Sequence, residues 1–354
     1  MQSQSGRRRR YSVSRHNTLA THLWPGFAGR IECHTSRLLQ QTTGTGHFVQ
    51  HFVPETAVLG RGLRLTQRRC GLSKASTTPF TKDVVLAIGL LYAAAGIILF
   101  TQVGPWEAVR YVIINGLIVF AWLWSAERIL RNTPIPDIEP IHRPAAELLC
   151  ALAAIAIVIG IVAINYAGWV AIPSWVFYVV IYGTVFAIFF GLRYPIKELG
   201  IIWPSKSGWW ALFIAILVNF AATALFQIIP KEESPPISPG DLASQTTGFL
   251  SILALFVGLL FRAALPEELL FRITLQPRLA RFLPVGWAIL IQALLFSAAH
   301  LPQQLINYQR PFVLALGYLL TVDNGLIGGY LWHRTRSLPL LVILHLFAYP
   351  RFGI

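Results

Sequence analysis

Residues 249–272 read FLSILALFVGLLFRAALPEELLFR. From Phe249 to Leu265 the only charged side chain is Arg262, and Glu267, Glu268 and Arg272 then follow within six residues. An apolar run of this kind suits a helix in a bilayer. Ionisable residues carried into such a run are costly and are functional by default. On a helix Glu268 and Arg272 lie one turn apart with the acid first, the favourable order for an ion pair, so their charges partly cancel. Glu267 points roughly 100° away and has no such local partner. Beside an imidazole, that carboxylate could act as a general base on water. The plainer alternative is a solvated helix start with Pro266 in its first turn.

The rest of the chain points to a membrane. Of 354 residues, 55% are hydrophobic and 12% are charged, about half the charged share of a soluble domain. The net charge of +14 is uneven: residues 1–80 hold twelve Lys or Arg against Glu32 and Glu55. The basic excess therefore belongs to one segment and does not call for nucleic acid. That segment (1–80) is rich in Arg, Ser and Thr and lacks apolar periodicity, as in a disordered tail or an organellar transit segment. Met1 is the sole methionine, so a later start would need another codon. Cys33, Cys70 and Cys150 show no metal or disulfide spacing.

Nine apolar segments follow, at 84–103, 108–126, 148–167, 171–191, 208–229, 248–265, 284–300, 312–332 and 338–350. The expected fold is an all-α polytopic membrane protein with about eight to nine transmembrane helices. Its parts are a tail (1–80), amino-terminal helices (81–244) and a carboxy-terminal core (245–354). Arg128, Arg131, Arg143, Arg193, Lys197, Lys206, Arg272, Arg278, Arg281, Arg334 and Arg336 fall in alternate connections. The opposite connections hold only Lys231, Arg310 and Arg351, with Arg110 at a helix start. The positive-inside rule then places the amino terminus inside and the carboxyl terminus outside. Residues 192–206 read as an interfacial segment. No repeat of the transporter kind is visible.

Further polar residues crowd the last hundred positions. His300 closes Phe296-Ser297-Ala298-Ala299-His300, Asp323 and Asn324 interrupt the eighth segment, and His345 lies inside the ninth. Each has a structural reading: His300 at an interface, Asp323 as an ion-pair partner of Arg262 or Arg272, His345 as a packed histidine. His333 reads as interfacial and His142 as a loop residue.

Taken in order, Glu-Glu-x-x-x-Arg, then Phe-x-x-x-His, then a histidine in the last helix resemble the CPBP family, which comprises CAAX prenyl endopeptidases and bacteriocin-processing proteins and is also called Abi. Gly325, Gly328 and Gly329 ahead of Ser337, Leu338 and His345 add to the resemblance, which covers roughly 245–350. It implies an intramembrane endopeptidase acting on membrane-associated or prenylated peptides. Glu267 would activate water with His300, and His345 would stabilise the oxyanion or orient the water. Glu268, Arg272, Asn324 and Tyr349 would support them. If a divalent metal such as zinc were bound, Glu267, His300 and His345 would hold it, although nothing matches HExxH. The family's last motif is His-x-x-x-Asn, whereas this chain has His345 and Tyr349, and a phenol lacks the amide's carbonyl. The alternatives are a non-catalytic scaffold or bacteriocin-immunity protein of the same fold, and a small-solute or proton transporter. The expected location is a bacterial plasma membrane, or an organellar membrane reached through a transit segment.

Straight helices would put Glu267 near the inner face and His300 more than about 20 Å deep, at ~1.5 Å per residue. The expected resolution is a break at Pro266, with 266–281 forming a separate, partly re-entrant helix. The charge asymmetry also predicts sidedness. Single cysteines placed at 132 and 204 should react with an impermeant thiol reagent from the inner face and one at 238 from the outer face; the reverse pattern would refute the orientation.

Overall fold

The computed structural model describes residues 79–136, 141–228 and 249–348. Among these every regular element is helical: α1 (Lys82–Gln102), α2 (Pro105–Leu130), α3 (Pro144–Tyr166), α4 (Ser174–Phe189), α5 (Lys206–Ile228), α6 (249–279), α7 (Val285–Ala299), α8 (Phe312–Leu319), α9 (Asp323–Thr335) and α10 (Leu338–Ala348). Proline marks many of the starts. Pro105 and Pro144 occupy first-turn positions, and Pro173, Pro284 and Pro311 precede α4, α7 and α8. At these places proline's missing N–H removes no helical hydrogen bond, and its fixed φ suits the first turn.

Five helical stretches are long and apolar enough to cross a bilayer: Lys82–Gln102, Pro105–Leu130, Pro144–Asn165, Val285–Ile306 and Phe312–Thr335. Trp175–Phe189, Lys206–Ala222 and Leu338–Phe347 are shorter apolar helices. The outward faces are greasy. Leu86, Leu90, Ile97, Phe100, Leu117 and Phe120 are 58–70% exposed, a density of uncovered apolar side chains that water does not tolerate and lipid does. The protein is a polytopic integral membrane protein.

The expected break at Pro266 is absent. The backbone stays right-handed helical from 249 to 279, and α geometry gives way to π geometry at Leu260–Ala264 and again at Glu268–Leu275. The π turn changes which carbonyl faces the proline. In an i→i−5 register, the missing N–H of Pro266 would have met the carbonyl of Phe261. That oxygen instead accepts the Tyr182 hydroxyl from α4 at 3.2 Å. A borrowed donor thus satisfies the orphaned group, and the helix continues.

Interruptions fall elsewhere. His300 closes α7 as its C-cap (φ −90°, ψ −3°), and the chain then resumes helical geometry in a π turn at Gln303–Asn307. The other interruption divides α8 from α9, where Val322 adopts φ 38°, ψ 16° while 2% exposed. A β-branched residue held in the left-handed region is strained by about 1–3 kcal/mol. Its surroundings therefore dictate the conformation. Asn324 N–H donates to Asp323 Oδ1 at 2.8 Å just beyond the break.

A buried polar clasp ties the amino-terminal helices to α6. Arg278 donates from Nη2 and Nε to Glu147 Oε2 at 2.8 and 3.0 Å, and from Nη1 to the carbonyls of Ile273 and Thr274. Tyr194 donates to Glu147 Oε1 at 2.9 Å and accepts the His142 N–H at 2.8 Å. Burial pushes the Tyr194 phenol above its ordinary pKa, which keeps it a neutral donor. Every donor nitrogen of Arg278 is used, two of its bonds going to carbonyls at the end of the π segment. Glu147→Ala would strand the guanidinium at 3% exposure. It should cost about 3–5 kcal/mol of unfolding free energy, measurable by denaturant titration in detergent; a loss below ~1 kcal/mol would show the clasp to be incidental.

Candidate active site

The site is built where α10 meets the middle of α6. His345 Nδ1 lies 2.8 Å from Glu268 Oε1, a hydrogen bond, and its Nε2 lies 3.7 Å from Glu267 Oε2, within ion-pair range. Adjacent glutamates thus face the two nitrogens of one imidazole. Arg272 Nε stands 3.4 Å from Glu268 Oε2, one helical turn on, and both side chains are nearly sealed at 2% and 3% exposure. Arg272 Nη2 donates to the backbone carbonyl of Asn324 at 3.3 Å. An unbroken line of charge and hydrogen bonds therefore runs from α9 through Arg272 and Glu268 to His345. The outer carboxylate, Glu267, is the more open one at 17% exposure. Asn324 joins through its backbone oxygen. Tyr349 lies outside the described residues.

His300 is connected differently. Its Nδ1 lies 2.9 Å from the carbonyl of Phe296. A carbonyl only accepts, so Nδ1 carries the hydrogen, and in the neutral imidazole the lone pair is then on Nε2. Among the described residues no hydrogen bond or ion pair joins His300 to either glutamate. The link is the Phe296 ring, whose centroid is 5.0 Å from the His300 ring and 6.3 Å from that of His345. The Arg272 guanidinium lies over the same ring at 4.0 Å. One aromatic side chain lies beside Arg272, His300 and His345, and its negative face meets the guanidinium. Phe296 is thus a positioning residue, legible in the sequence only as the first letter of its motif. Tyr178 on α4, which no sequence pattern singled out, lies close enough to Arg262 and Glu267 to feel their charges.

Glycines let the backbone of α9 approach these groups. A Cβ on Gly328 would stand 3.2 Å from Arg272 Nε, and one on Gly325 would stand 2.5 Å from Ala293 Cβ and 2.6 Å from its Cα.

Residues 249–349 match the Rce1-like type II CAAX prenyl endopeptidase family. This stretch is a domain of that family. No curated protein and no solved structure matches the chain. The matched stretch holds Glu267, Glu268, Arg272, Phe296, His300, Asn324 and His345, whereas Tyr178 lies outside it. The possible metal fares less well in this arrangement. Among the described residues no three His, Cys, Asp or Glu side chains are grouped to hold an ion. Both nitrogens of His345 are turned to carboxylates, and His300 stands apart from them. So placed, Glu267, His300 and His345 do not fit a metal.

The packing of α9 makes a ranked prediction. Gly325→Ala meets backbone, which cannot move aside, whereas Gly328→Ala meets the end of a side chain. The first should destabilise by about 1–3 kcal/mol. The second should cost less, because its steric conflict is partly offset by a helix-propensity gain of about 1 kcal/mol. Unfolding of the two variants under matched detergent conditions tests the order.

Proposed function

We propose that the endopeptidase domain hydrolyses peptide bonds of membrane-associated or prenylated substrates, with water activated by Glu267 and His300. The observation that carries this reading is the buried line Arg272–Glu268–His345, which presents an oriented imidazole to the more open carboxylate of Glu267.

Glu267 takes a proton from water, and the water oxygen bonds to the carbonyl carbon of the scissile peptide. His300 Nε2, left with its lone pair by the Nδ1–H bond to Phe296, accepts the second hydrogen of that water and aligns it. The carbonyl oxygen gains the displaced electron pair. His345 opposes that charge as an imidazolium, with Glu268 fixing its orientation through Nδ1. Collapse of the tetrahedral species breaks the C–N bond, and the proton held by Glu267 passes to the departing amine. Glu268 and Arg272 act as positioning residues, because their charges are spent on each other and on His345.

In this reading the shorter apolar helices and α6 complete eight or nine crossings, with the amino terminus inside. Residues 81–244 form a helical frame, 245–354 the catalytic core, and 1–80 a tail or a transit segment. The bilayer is bacterial, or organellar if that segment is a transit peptide.

A second reading is a non-catalytic protein of the same fold. It draws support from the gap between His300 and the glutamates and from Tyr349 in place of the family's Asn. One assay separates the two. The protein, reconstituted in vesicles, is offered a library of plain and prenylated peptides, and products are read by mass spectrometry. Cleavage should occur and should fall about 10²–10⁴-fold in Glu267→Ala and His300→Ala. Cleavage that both substitutions leave intact would refute the mechanism, and no cleavage by the parent protein would favour the scaffold.

A further inference from the structure

A small cavity lies away from the proposed catalytic groups, at the far end of α6. It has a volume of ≈ 50 Å³ and is walled by Ile273 and Arg278 of α6, Trp332 of α9, Arg336 just beyond it, and Lys197 and Glu198 of the short turn Ile196–Leu199. About 10–15 Å³ admits one water, so this volume suits a few waters or one tetrahedral oxyanion.

Two of the wall residues carry donors that are left unpaired. Trp332 is 2% exposed, yet its indole Nε1 has no hydrogen-bond partner among the described residues, and neither has the buried Nε of Arg336. Both are donors that cannot accept. Leaving such groups dry and unpaired costs about 1–3 kcal/mol each. Two orphaned donors around one cavity call for a ligand that supplies acceptors. The cations agree. Arg278 is already neutralised by Glu147, which leaves Lys197 and Arg336 against Glu198 as the charged lining. Burial holds the Arg336 guanidinium down to about 10, so at neutral pH it is a charged but poorly solvated cation. Arg336 also takes φ 52°, the left-handed region, at the turn between α9 and α10, where Gly200 lies so close that a Cβ would reach 2.9 Å from the Arg336 carbonyl.

The level of the cavity indicates where the acceptors come from. Arg336 follows the last residue of the Phe312–Thr335 stretch. The turn that brings Lys197 and Glu198 also exposes Ile196 (62%), Ile201 (62%) and Trp203 (80%). Exposed apolar and indole groups beside Lys and Arg at the end of a span are the composition of a membrane interface.

We propose that this cavity binds the phosphate of an anionic lipid headgroup, received by Trp332 Nε1, Arg336 and Lys197. The bound headgroup bridges α6 and α9, the two helices whose relative placement sets Arg272 against Asn324, and so braces them from the membrane face. The binding does not depend on the protein being a protease.

The test uses the full chain purified in neutral detergent. Native mass spectrometry with phosphatidylglycerol and phosphatidylcholine at equal concentration should show one phosphatidylglycerol retained preferentially. The Lys197→Ala/Arg336→Ala double variant should bind it on the order of 30-fold more weakly, from the loss of two interfacial cations. Trp332→Phe keeps an aromatic ring without the N–H and should weaken binding several-fold; it keeps the test valid if the double variant fails to fold. Lys206→Ala, in the neighbouring tryptophan-rich groove, should leave retention unchanged. A second arm measures thermal unfolding in inorganic phosphate against chloride at matched ionic strength. Stabilisation by phosphate that is lost in Trp332→Phe, without lipid retention, would assign the same site to the free anion. The proposal is overturned by equal retention of the two lipids together with no phosphate effect. It is equally overturned if Trp332→Phe changes nothing, or if Lys206→Ala weakens binding as much as the double variant does.

Discussion

The structure depends on keeping two adjacent carboxylates inside an apolar helix bundle. A lone ionised carboxylate in such a medium is far too costly to persist. Here Glu268 has Arg272 on one side and His345 on the other, and Glu267 has the other edge of the same imidazole. Several features of the last hundred residues serve that arrangement. The π geometry of α6 turns successive glutamates toward one partner, the glycine face of α9 gives the Arg272 side chain room, and Phe296 lies beneath the guanidinium.

The same solution recurs at the other end of α6. Glu147 and Arg278 neutralise each other completely, with Tyr194 and two backbone carbonyls absorbing the remaining hydrogen-bonding capacity. Within one continuous helix, therefore, Arg278 is fully satisfied, whereas Arg272 retains a buried Nη1 with no hydrogen-bond partner among the described residues. A saturated network rigidifies, whereas a partly satisfied one is poised for a ligand or water. The contrast separates the clasp, which holds helices together, from the site, which has capacity to spare.

Much of the architecture was legible in the residues. Apolar run length and proline punctuation located most helices, because a bilayer demands helices of a minimum length and proline is accommodated most readily in a first turn. The i, i+4 relation of Glu268 and Arg272 is local and could be read from spacing. The expected break at Pro266 was wrong for an identifiable reason: the donor that satisfies the Phe261 carbonyl, Tyr182, comes from a helix some eighty residues earlier in the chain. The interruption at Val322 falls just before Asp323 and Asn324, the polar pair that breaks the apolar run in the sequence, although no proline or glycine marks it. Glu147 stands in the first turn of α3, and nothing in its own segment points to Arg278, 131 positions away.

Sequence alone determined what the chain is made to dissolve in, where its helices begin, and which side chains are too polar to be there without a purpose. These are properties of single segments, fixed by hydrophobic length, backbone hydrogen bonding and one turn of helix. Tertiary structure alone decided which of those polar groups meet. It set His345 on both glutamates, and it linked His300 to His345 and Arg272 through the Phe296 ring and not through a hydrogen bond. Such pairings are set by how separate helices pack, and a difference of one residue in register, of the kind a π turn introduces, changes which face a side chain occupies.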